Sequence, residues 1–365
     1  MSRRQRCIVV HPSDEMYGAD RVLLEVLRTA PDDIDIEVWL PTDVDYPERQ
    51  LSRALAERGI TVRRLPLPIM RRAYLRPSQM PGLALRALTT SARLIAARPT
   101  LVYLNTAASG LLAPAARASR ARLVLHLHEH IDGRSKAVVP FLRLAHRIIA
   151  VSSAAASALP EKLRRRTHVV YNGFDVDVPV DLPSFADGIR LVVASRWNAW
   201  KGHRVLIEAW GRMTRDDLHL TILGDPPLSG ESVDVPRIVA SSPRAEQIEI
   251  VGRTSDVRSH LDRAHVVVVP SVLPDPLPTI AIEALGSGRA LLASDAGGLP
   301  EILGNARFVV APNDVDAWVA ALDALDEDGI RSTAAVSRDR FERLFTREMF
   351  DERMCQELWG EARRR

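Results

Sequence analysis

Short apolar runs alternate with amphipathic segments along the whole chain. In the first half the runs are Cys7–Val10, Ile36–Leu40, Thr61–Leu65, Leu101–Leu104, Leu123–Leu127, Ile148–Val151 and His168–Val170. A second series follows at Arg190–Ala194, Leu218–Leu223, Ile248–Val251, His265–Val269 and Ala290–Ala293. Short runs bounded by Gly, Pro, Asn or Ser are typical of strands buried on both faces of a parallel sheet. The pattern predicts an α/β fold with two doubly wound domains.

The break between the two series predicts where one domain ends. Asp175–Asp187 contains prolines and acidic residues but no apolar period, which is typical of a linker. We therefore expect one Rossmann-like domain over residues 1–185 and a second over residues 186–340. In residues 341–365 apolar side chains recur at roughly helical spacing, which predicts a C-terminal helix lying on an apolar surface.

Composition agrees with two globular domains, since 46% of the 365 residues are hydrophobic and 26% are charged. The only cysteines, Cys7 and Cys355, are too few for a disulfide framework or a thiolate metal site. No signal-peptide pattern precedes the first strand, and no apolar stretch approaches the ~20 residues that span a bilayer. We expect a cytoplasmic protein whose membrane contact, if it makes one, is peripheral at the inner face of the plasma membrane.

The charge is divided unevenly between the two halves. Residues 1–180 hold 27 Lys and Arg against 17 Asp and Glu, whereas residues 181–365 hold 22 against 29. A basic first half favours an anionic partner, either a membrane surface or a lipid-linked acceptor, and the alternative is an arginine-rich solvated surface. Aromatic residues make up only 5% of the chain and do not interleave with basic stretches. We therefore expect no nucleic-acid partner.

Three turns in the second half follow strands and open helices, where parallel sheets bind their ligands. The first, Ser195–His203, carries Arg196 and Lys201, two cations that could hold a diphosphate together with a helix N-terminus. The second precedes Glu283, a lone acid among apolar residues that either binds ribose hydroxyls or is satisfied by neighbouring backbone. The third contains Gly297-Gly298, which lets a ligand approach the backbone closely or merely reverses the chain.

These turns, in this order, resemble the donor half of the GT-B glycosyltransferases of family 4. The matching motifs are Ser195-Arg196-Trp197 with Lys201-Gly202, Gly224-Asp225-Pro226, Pro270-Ser271, Asp275-Pro276-Leu277-Pro278, Glu283-Ala284 and Gly297-Gly298-Leu299-Pro300-Glu301. The first half matches through Tyr17-Gly18-Ala19-Asp20-Arg21, Asn105-Thr106, Val151-Ser152 and Tyr171-Asn172-Gly173-Phe174-Asp175. The resemblance implies two Rossmann-like domains facing across a cleft, with the donor on the second domain, the acceptor on the first, and a C-terminal helix that crosses back to the first.

The resemblance also implies a role for each matching residue. Arg196 and Lys201 would neutralise the leaving diphosphate, Asp275 would reach a sugar hydroxyl, and His128 would orient a hydroxyl beside the transferred sugar. Donor contacts are further implied at Glu283, Gly18, Gly224, Arg253, Leu277, Thr279, Gly297, Gly298 and Leu299, and acceptor-side contacts at Tyr17 and Asn105. Two residues depart from the family pattern, because Asp275 is a methylene shorter than the usual glutamate and Pro278 replaces a glycine.

The implied activity is that of a hexosyl- or glycosyltransferase (EC 2.4 type) that retains anomeric configuration and needs neither metal nor cofactor. The nucleotide-diphosphate sugar is a substrate, and we expect the acceptor to be a lipid-linked saccharide in cell-envelope polysaccharide or glycolipid synthesis. The alternatives are a soluble small-molecule acceptor, a sugar-nucleotide epimerase on the same scaffold, or an inactive nucleotide-sugar-binding protein.

Other motifs predict less. The alternating His126, His128 and His130 would need further ligands to bind a metal, so we expect no metal site. Gly286-Ser287-Gly288 lacks the third glycine of a dinucleotide fingerprint. Three Asp-x-Asp pairs suggest a metal-dependent GT-A enzyme, but the duplicated βαβ pattern disfavours that fold.

Overall fold

The computed structural model describes residues 5–131, 136–176, 181–228, 230–304 and 308–360, with the backbone alone at Arg72 and Ala73. Contacts divide the chain into two compact units. The first contains Met1–Asn172 and Phe350–Arg365, and the second contains Gly173–Met349. Part of the predicted linker, residues 177–180, lies outside the described residues, as do residues 361–365 of the predicted C-terminal helix.

The first unit is built on a seven-stranded parallel sheet in the order β3-β2-β1-β4-β5-β6-β7. Its strands are Gln5–Val10 (β1), Ile34–Pro41 (β2), Thr61–Leu65 (β3), Leu101–Leu104 (β4), Arg122–Leu127 (β5), Arg147–Ala150 (β6) and Thr167–Val169 (β7). The helices are Gly18–Arg28 (α1), Gln50–Glu57 (α2), Met80–Ala97 (α3), Ala113–Ala118 (α4), Val139–Leu142 (α5), Ser153–Ser157 (α6) and Glu161–Arg164 (α7). Short 3-10 turns include Ala107–Leu112 after β4.

The second unit repeats the architecture with a six-stranded parallel sheet in the order β10-β9-β8-β11-β12-β13. Its strands are Ile189–Ala194 (β8), Leu218–Leu223 (β9), Ile248–Gly252 (β10), Val266–Val269 (β11), Ala290–Ser294 (β12) and Val309–Val310 (β13). The helices are His203–Arg212 (α8), Val235–Ala240 (α9), Val257–Arg263 (α10), Thr279–Gly286 (α11), Leu299–Leu303 (α12), Val315–Asp323 (α13) and Glu327–Leu344 (α14). The predicted α/β fold with two parallel sheets is confirmed.

Burial explains why the apolar pattern predicted these strands well. All four residues of β4 and all four of β11 are buried, because helices cover both faces of each sheet. Large aromatic side chains complete the cores, with Trp39 fully buried in the first unit and Trp210 and Trp318 in the second.

The C-terminal part of the chain is not one continuous helix. Residue 341, the predicted start of that helix, lies inside α14, and the helix ends where Phe345 leaves helical geometry. Helix α15 (Arg347–Met354) and a π-helical turn Cys355–Trp359 follow. Residues 350–360 pack in the first unit, where the Trp359 indole donates to Thr29 Oγ1 (2.8 Å) and Arg122 donates to the carbonyl of Leu358 (2.6 Å).

Candidate functional site

Donor-side candidates in the second unit lie where the strand order of its sheet reverses. The six-stranded sheet grows outward from β8 and β11 in opposite directions. Crossover connections therefore leave those two strands on opposite sides, which opens a crevice at their carboxyl ends. The loop after β8 carries Arg196 and Lys201, and the loop after β11 carries Asp275.

An ion pair joins these two loops. Lys201 Nζ donates to Asp275 Oδ2 at 2.6 Å, and the Ser271 hydroxyl donates to the same oxygen at 3.3 Å. The side chains of Lys201 and Asp275 are only 17% and 6% exposed, so solvent screens the pair poorly. The ammonium also lies 4.3 Å from the centre of the Trp200 ring, which adds a cation–π contact. The structure thus brings together two of the four predicted catalytic residues.

Glycines allow the backbones of these loops to approach closely. Gly297 has φ +64°, and a Cβ built there would lie 2.2 Å from the carbonyl oxygen of Asp275. The neighbouring Gly298 N–H donates to that oxygen at 2.7 Å. Gly202, with φ +80°, packs in the same way on the carbonyl oxygen of Pro270. The Gly-Gly turn therefore stabilises the loop that carries Asp275.

The remaining candidates around this turn lie on two helices. Thr279 begins α11 four residues after Asp275, and Glu283 lies half-buried one turn further along that helix. The side chains of Leu277 and Leu299 are buried, at 5% and 0% exposure, so they pack inside the unit. Donor contact at these four positions stays a prediction.

Gly224 and Arg253 follow the two strands on the other side of β8. Gly224, at φ +121°, packs against the carbonyl oxygen of Ser195, which directly precedes the half-buried Arg196. Its N–H donates to the carbonyl of Gly252 at 2.8 Å. Arg253 lies 4.0 Å from Asp225, the residue after Gly224. The structure thus groups Arg196, Gly224 and Arg253 at the carboxyl edge of β8, β9 and β10.

His203, which sequence reasoning missed, begins α8 directly after Lys201-Gly202. It is buried, and its Nε2 lies 3.4 Å from Ser195 Oγ. Burial, reinforced by the charge of Lys201, lowers the pKa of His203 to about 4. The imidazole is therefore neutral near pH 7 and adds no positive charge beside Lys201.

In the first unit the strand order reverses between β1 and β4, and the candidates of that unit collect there. Asn105 directly follows β4, and its N–H donates to the carbonyl of Val10 at the end of β1 (3.0 Å). His128 follows β5, the neighbour of β4. Tyr17 and Gly18 begin α1, which follows β1 along the chain.

A chain of hydrogen bonds connects four side chains at this point. Asp20 Oδ1 lies 2.9 Å from His11 Nε2, His11 Nδ1 lies 2.9 Å from Asn105 Nδ2, and Asn105 Oδ1 lies 2.9 Å from His128 Nε2. Asp20 also accepts from the Tyr17 N–H through its second oxygen (3.0 Å). Asp20, His11 and Asn105 are buried, and His128 is half-buried.

Sequence reasoning missed His11 and did not assign a role to Asp20. The signal was present, because a histidine directly after the first strand and an acid in the first turn of the next helix both face the carboxyl edge of the sheet. The pairing of His11 with Asn105 crosses 94 residues of sequence, so no local pattern could have shown it.

Tyr103 and His126 extend the chain into the sheet. The Tyr103 hydroxyl donates to Asn105 Oδ1 (2.7 Å) and lies 2.6 Å from His126 Nδ1. Burial lowers the pKa of His126 to about 3, so the ring is neutral. Within the part of the chain that the structure describes, no three His, Cys, Asp or Glu side chains are grouped so that they could hold a metal ion.

Glu129 fixes the loop next to His128. Its carboxyl accepts from the Thr106 hydroxyl and from the N–H groups of Ala107 (3.3 Å) and His128 (3.1 Å). Burial nevertheless dominates and raises the pKa of Glu129 to about 7. This carboxyl, which sequence reasoning also missed, joins the loops after β4 and β5.

Comparison with known protein families finds matches in both halves of the chain. The family model described as "Glycosyltransferase Family 4" matches residues 16–178, and the one described as "Glycosyl transferases group 1" matches residues 188–328. Together they cover most of the chain.

Curated relatives match over part of their length. Lipopolysaccharide 1,2-N-acetylglucosaminetransferase of Salmonella typhimurium is 28% identical over 51% of this chain and 52% of its own. Alpha-maltose-1-phosphate synthase of Mycolicibacterium smegmatis is 29% identical over 54% of this chain and 58% of its own. The chain spans about half the length of the curated relatives it matches.

Solved structures share the fold over nearly the whole chain. Anabaena HepE, crystallised in complex with UDP-glucose, superposes with a TM-score of 0.80 at 20% identity and covers 97% of this chain and 99% of its own. Sucrose-phosphate synthase from Thermosynechococcus elongatus superposes with a TM-score of 0.77 at 19% identity, covering 99% and 100%. With both family models and the fold in agreement, the chain belongs to the GT-B glycosyltransferases of family 4.

Proposed function

We propose that this protein transfers a sugar from a nucleotide-diphosphate donor to an acceptor, with retention of anomeric configuration and without a metal. The observation that carries the proposal is the Lys201–Asp275 pair at the carboxyl edge of β8 and β11. A half-buried ammonium held 2.6 Å from a carboxylate is preorganised to stabilise charge that develops on a leaving diphosphate. Arg196, on the same loop as Lys201, supplies the second cation.

Two comparisons guide the choice of donor. HepE was crystallised with UDP-glucose, and the Salmonella relative is named as an N-acetylglucosaminetransferase. We therefore propose a UDP-hexose as the first donor to test. Asp275, shorter than the family glutamate, leaves more room for the sugar, so a UDP-N-acetylhexosamine belongs in the same panel.

For the acceptor we propose a lipid-linked saccharide reached at an anionic membrane surface. Helix α3 supports this proposal, because large apolar side chains stand exposed along it, namely Leu88 (70%), Leu85 (62%), Met80 (47%) and Ile95 (42%). Exposed apolar residues grouped in this way mark an interaction surface. Arg76, Arg93 and Arg98 are exposed on and beside this helix and supply the cations that an anionic leaflet attracts. None of the helices among the described residues is long and apolar enough to cross a membrane.

A thermal-shift panel of UDP-, GDP-, ADP- and TDP-sugars, followed by a transfer assay, tests the donor half of the proposal. A donor that binds the folded chain raises Tm, and Lys201→Ala should abolish most of that rise. Interconversion of the free sugar nucleotide without acceptor would identify an epimerase instead. Binding without transfer or donor hydrolysis would identify an inactive binding protein. Product anomers resolved by NMR and activity in EDTA test retention and metal independence.

Vesicle co-sedimentation at low salt tests the acceptor half. Anionic vesicles should retain the wild-type protein, and the double variant Leu85→Gln/Leu88→Gln should lose that retention. Val336→Gln is the matched control, because Val336 is also apolar and exposed (47%) but lies on α14. Retention of none of the three proteins would favour a soluble acceptor, whereas equal retention of all three would exclude α3 as the membrane-binding surface.

A further inference from the structure

The chain of hydrogen bonds in the first unit begins at the Asp20 carboxylate, which can only accept hydrogen bonds. Asp20 Oδ1 accepts from the Ser13 hydroxyl and faces His11 Nε2 at 2.9 Å, while Oδ2 accepts from the Tyr17 N–H. A carboxylate requires a donor opposite it, so the proton of His11 lies on Nε2. The second ring nitrogen, Nδ1, faces the Asn105 amide nitrogen, which can only donate, so Nδ1 is the acceptor.

The Asn105 amide carries the order of donors and acceptors from His11 to His128. Asn105 Nδ2 donates to His11 Nδ1, which leaves Oδ1 facing His128 Nε2 at 2.9 Å. The Tyr103 hydroxyl donates to the same oxygen (2.7 Å). Because Oδ1 is an acceptor, the proton of His128 lies on Nε2 and the lone pair on Nδ1.

We infer that Asp20, His11 and Asn105 are positioning residues that hold His128 as a neutral imidazole protonated on Nε2, so that its Nδ1 accepts a hydrogen bond from a hydroxyl of the substrate. Nε2 is committed to Asn105, so Nδ1 is the ring atom left to face a ligand. The inference rests on the proposed function, which supplies the sugar hydroxyl.

The surroundings of His128 favour the neutral ring. Burial lowers the pKa of His128 well below 6.5, and the neighbouring His126 and His11 lower it further. The His126 ring lies 4.1 Å from that of His128, and Glu129 accepts from the His128 backbone rather than from its ring. A neutral ring with one fixed tautomer recognises a hydroxyl, whereas an imidazolium would recognise a phosphate.

The test reads the tautomer directly, in protein labelled with ¹⁵N-histidine, from ring-nitrogen chemical shifts at pH 7.5. Wild-type His128 should be neutral and protonated on Nε2. In Asp20→Asn the side chain can donate to His11. Donor and acceptor can then exchange in each hydrogen bond from residue 20 to His128, so His128 should gain the Nδ1-protonated form. We expect kcat/KM to fall about tenfold, the loss of one well-placed hydrogen bond, with wild-type Tm shifts for the nucleotide alone.

Asp14→Asn is the matched control, because Asp14 is also a buried acid just after β1 but bonds to Ser52. It should leave the tautomer of His128 unchanged. An Nδ1-protonated or charged His128 in the wild-type protein would overturn the inference, even if Asp20→Asn fails to fold. So would a folded Asp20→Asn with the wild-type tautomer. If no nucleotide-sugar donor is turned over, the proposed function fails, but the ¹⁵N spectrum still shows whether Asp20, His11 and Asn105 fix the tautomer of His128.

Discussion

The two units use the same sheet topology to build two different chemical environments. At the reversal point of the first sheet, the buried His11 ring and the buried Asn105 amide lead from Asp20 to His128 through directional hydrogen bonds. At the reversal point of the second sheet, the central feature is a short ion pair between Lys201 and Asp275. Strand order fixes where the candidate residues collect, but the loops decide whether neutral hydrogen-bonding groups or charged groups are placed there.

Loop construction differs in the same way. In the second unit Gly202, Gly224 and Gly297 each have positive φ, and each brings a loop against the backbone of another. In the first unit side chains make the corresponding links, with the Glu129 carboxyl joining the loops after β4 and β5.

The largest expected effect is on charge in the second unit. Lys201→Ala should lower kcat by about 10²- to 10³-fold, because it removes a preorganised donor to developing phosphate charge. Lys162→Ala is the control, because Lys162 is an exposed lysine on α7 of the first unit. Steady-state kinetics with the donor found in the thermal-shift panel measure both variants. Wild-type kcat in Lys201→Ala would end the assignment of this site.

The next effect tests the glycine packing. Gly297→Ala should destabilise the protein by about 2–4 kcal/mol, because it combines left-handed strain with a Cβ that meets the Asp275 backbone. Gly59→Ala is the matched control, since Gly59 has φ +71° but nothing within 4 Å of its Cβ position. That variant should cost only about 1–2 kcal/mol, the strain alone. Urea unfolding measures both variants. Equal losses in the free energy of unfolding would show that the turn accommodates a Cβ at position 297 without a clash.

How much of this could be read from the sequence differs between fold and site. The apolar runs predicted every strand except β13, which has two residues and lies at the edge of its sheet, too short to produce a pattern. Lys201 and Asp275 were predicted to converge on one site, but their direct pairing, across 74 residues, was not predicted. The hydrogen bonds from Asp20 to His128 could not be predicted, because the four residues come from three separate loops and one helix. Sequence thus shows which turns carry chemistry, whereas only the fold shows which side chains are partners.

The free energy of unfolding should decrease at acidic pH, because both units contain buried neutral histidines. Burial lowers the pKa of His126 to about 3 and those of His203 and His265 to about 4. As pH falls below about 6.5 the unfolded chain binds protons that the folded chain does not, so stability decreases down to those lowered values. Each group contributes a loss of up to about 1.4 kcal/mol per pH unit. Urea unfolding between pH 7 and 5 measures the slope.

His126→Gln should flatten that slope, because it removes one group that only the unfolded chain protonates. His219→Gln, at an exposed position on β9, is the control and should leave the slope unchanged. An unchanged slope in His126→Gln would mean that His126 carries a proton in the folded chain as well.

The smallest expected effect concerns the length of the acid opposite Lys201. Asp275→Glu restores the side chain usual in the family and keeps the charge, and the added methylene has to be accommodated beside Ser271 and the Gly297 backbone. We expect kcat to stay within about tenfold of wild type, since a small packing change costs about 1 kcal/mol.

Asp275→Asn keeps the shape but loses the charge, and it should approach the loss seen in Lys201→Ala. If Asp275 acts through Lys201, the double variant Lys201→Ala/Asp275→Asn should be no worse than Lys201→Ala alone. Additive losses would mean that the carboxylate contacts the substrate independently of the lysine.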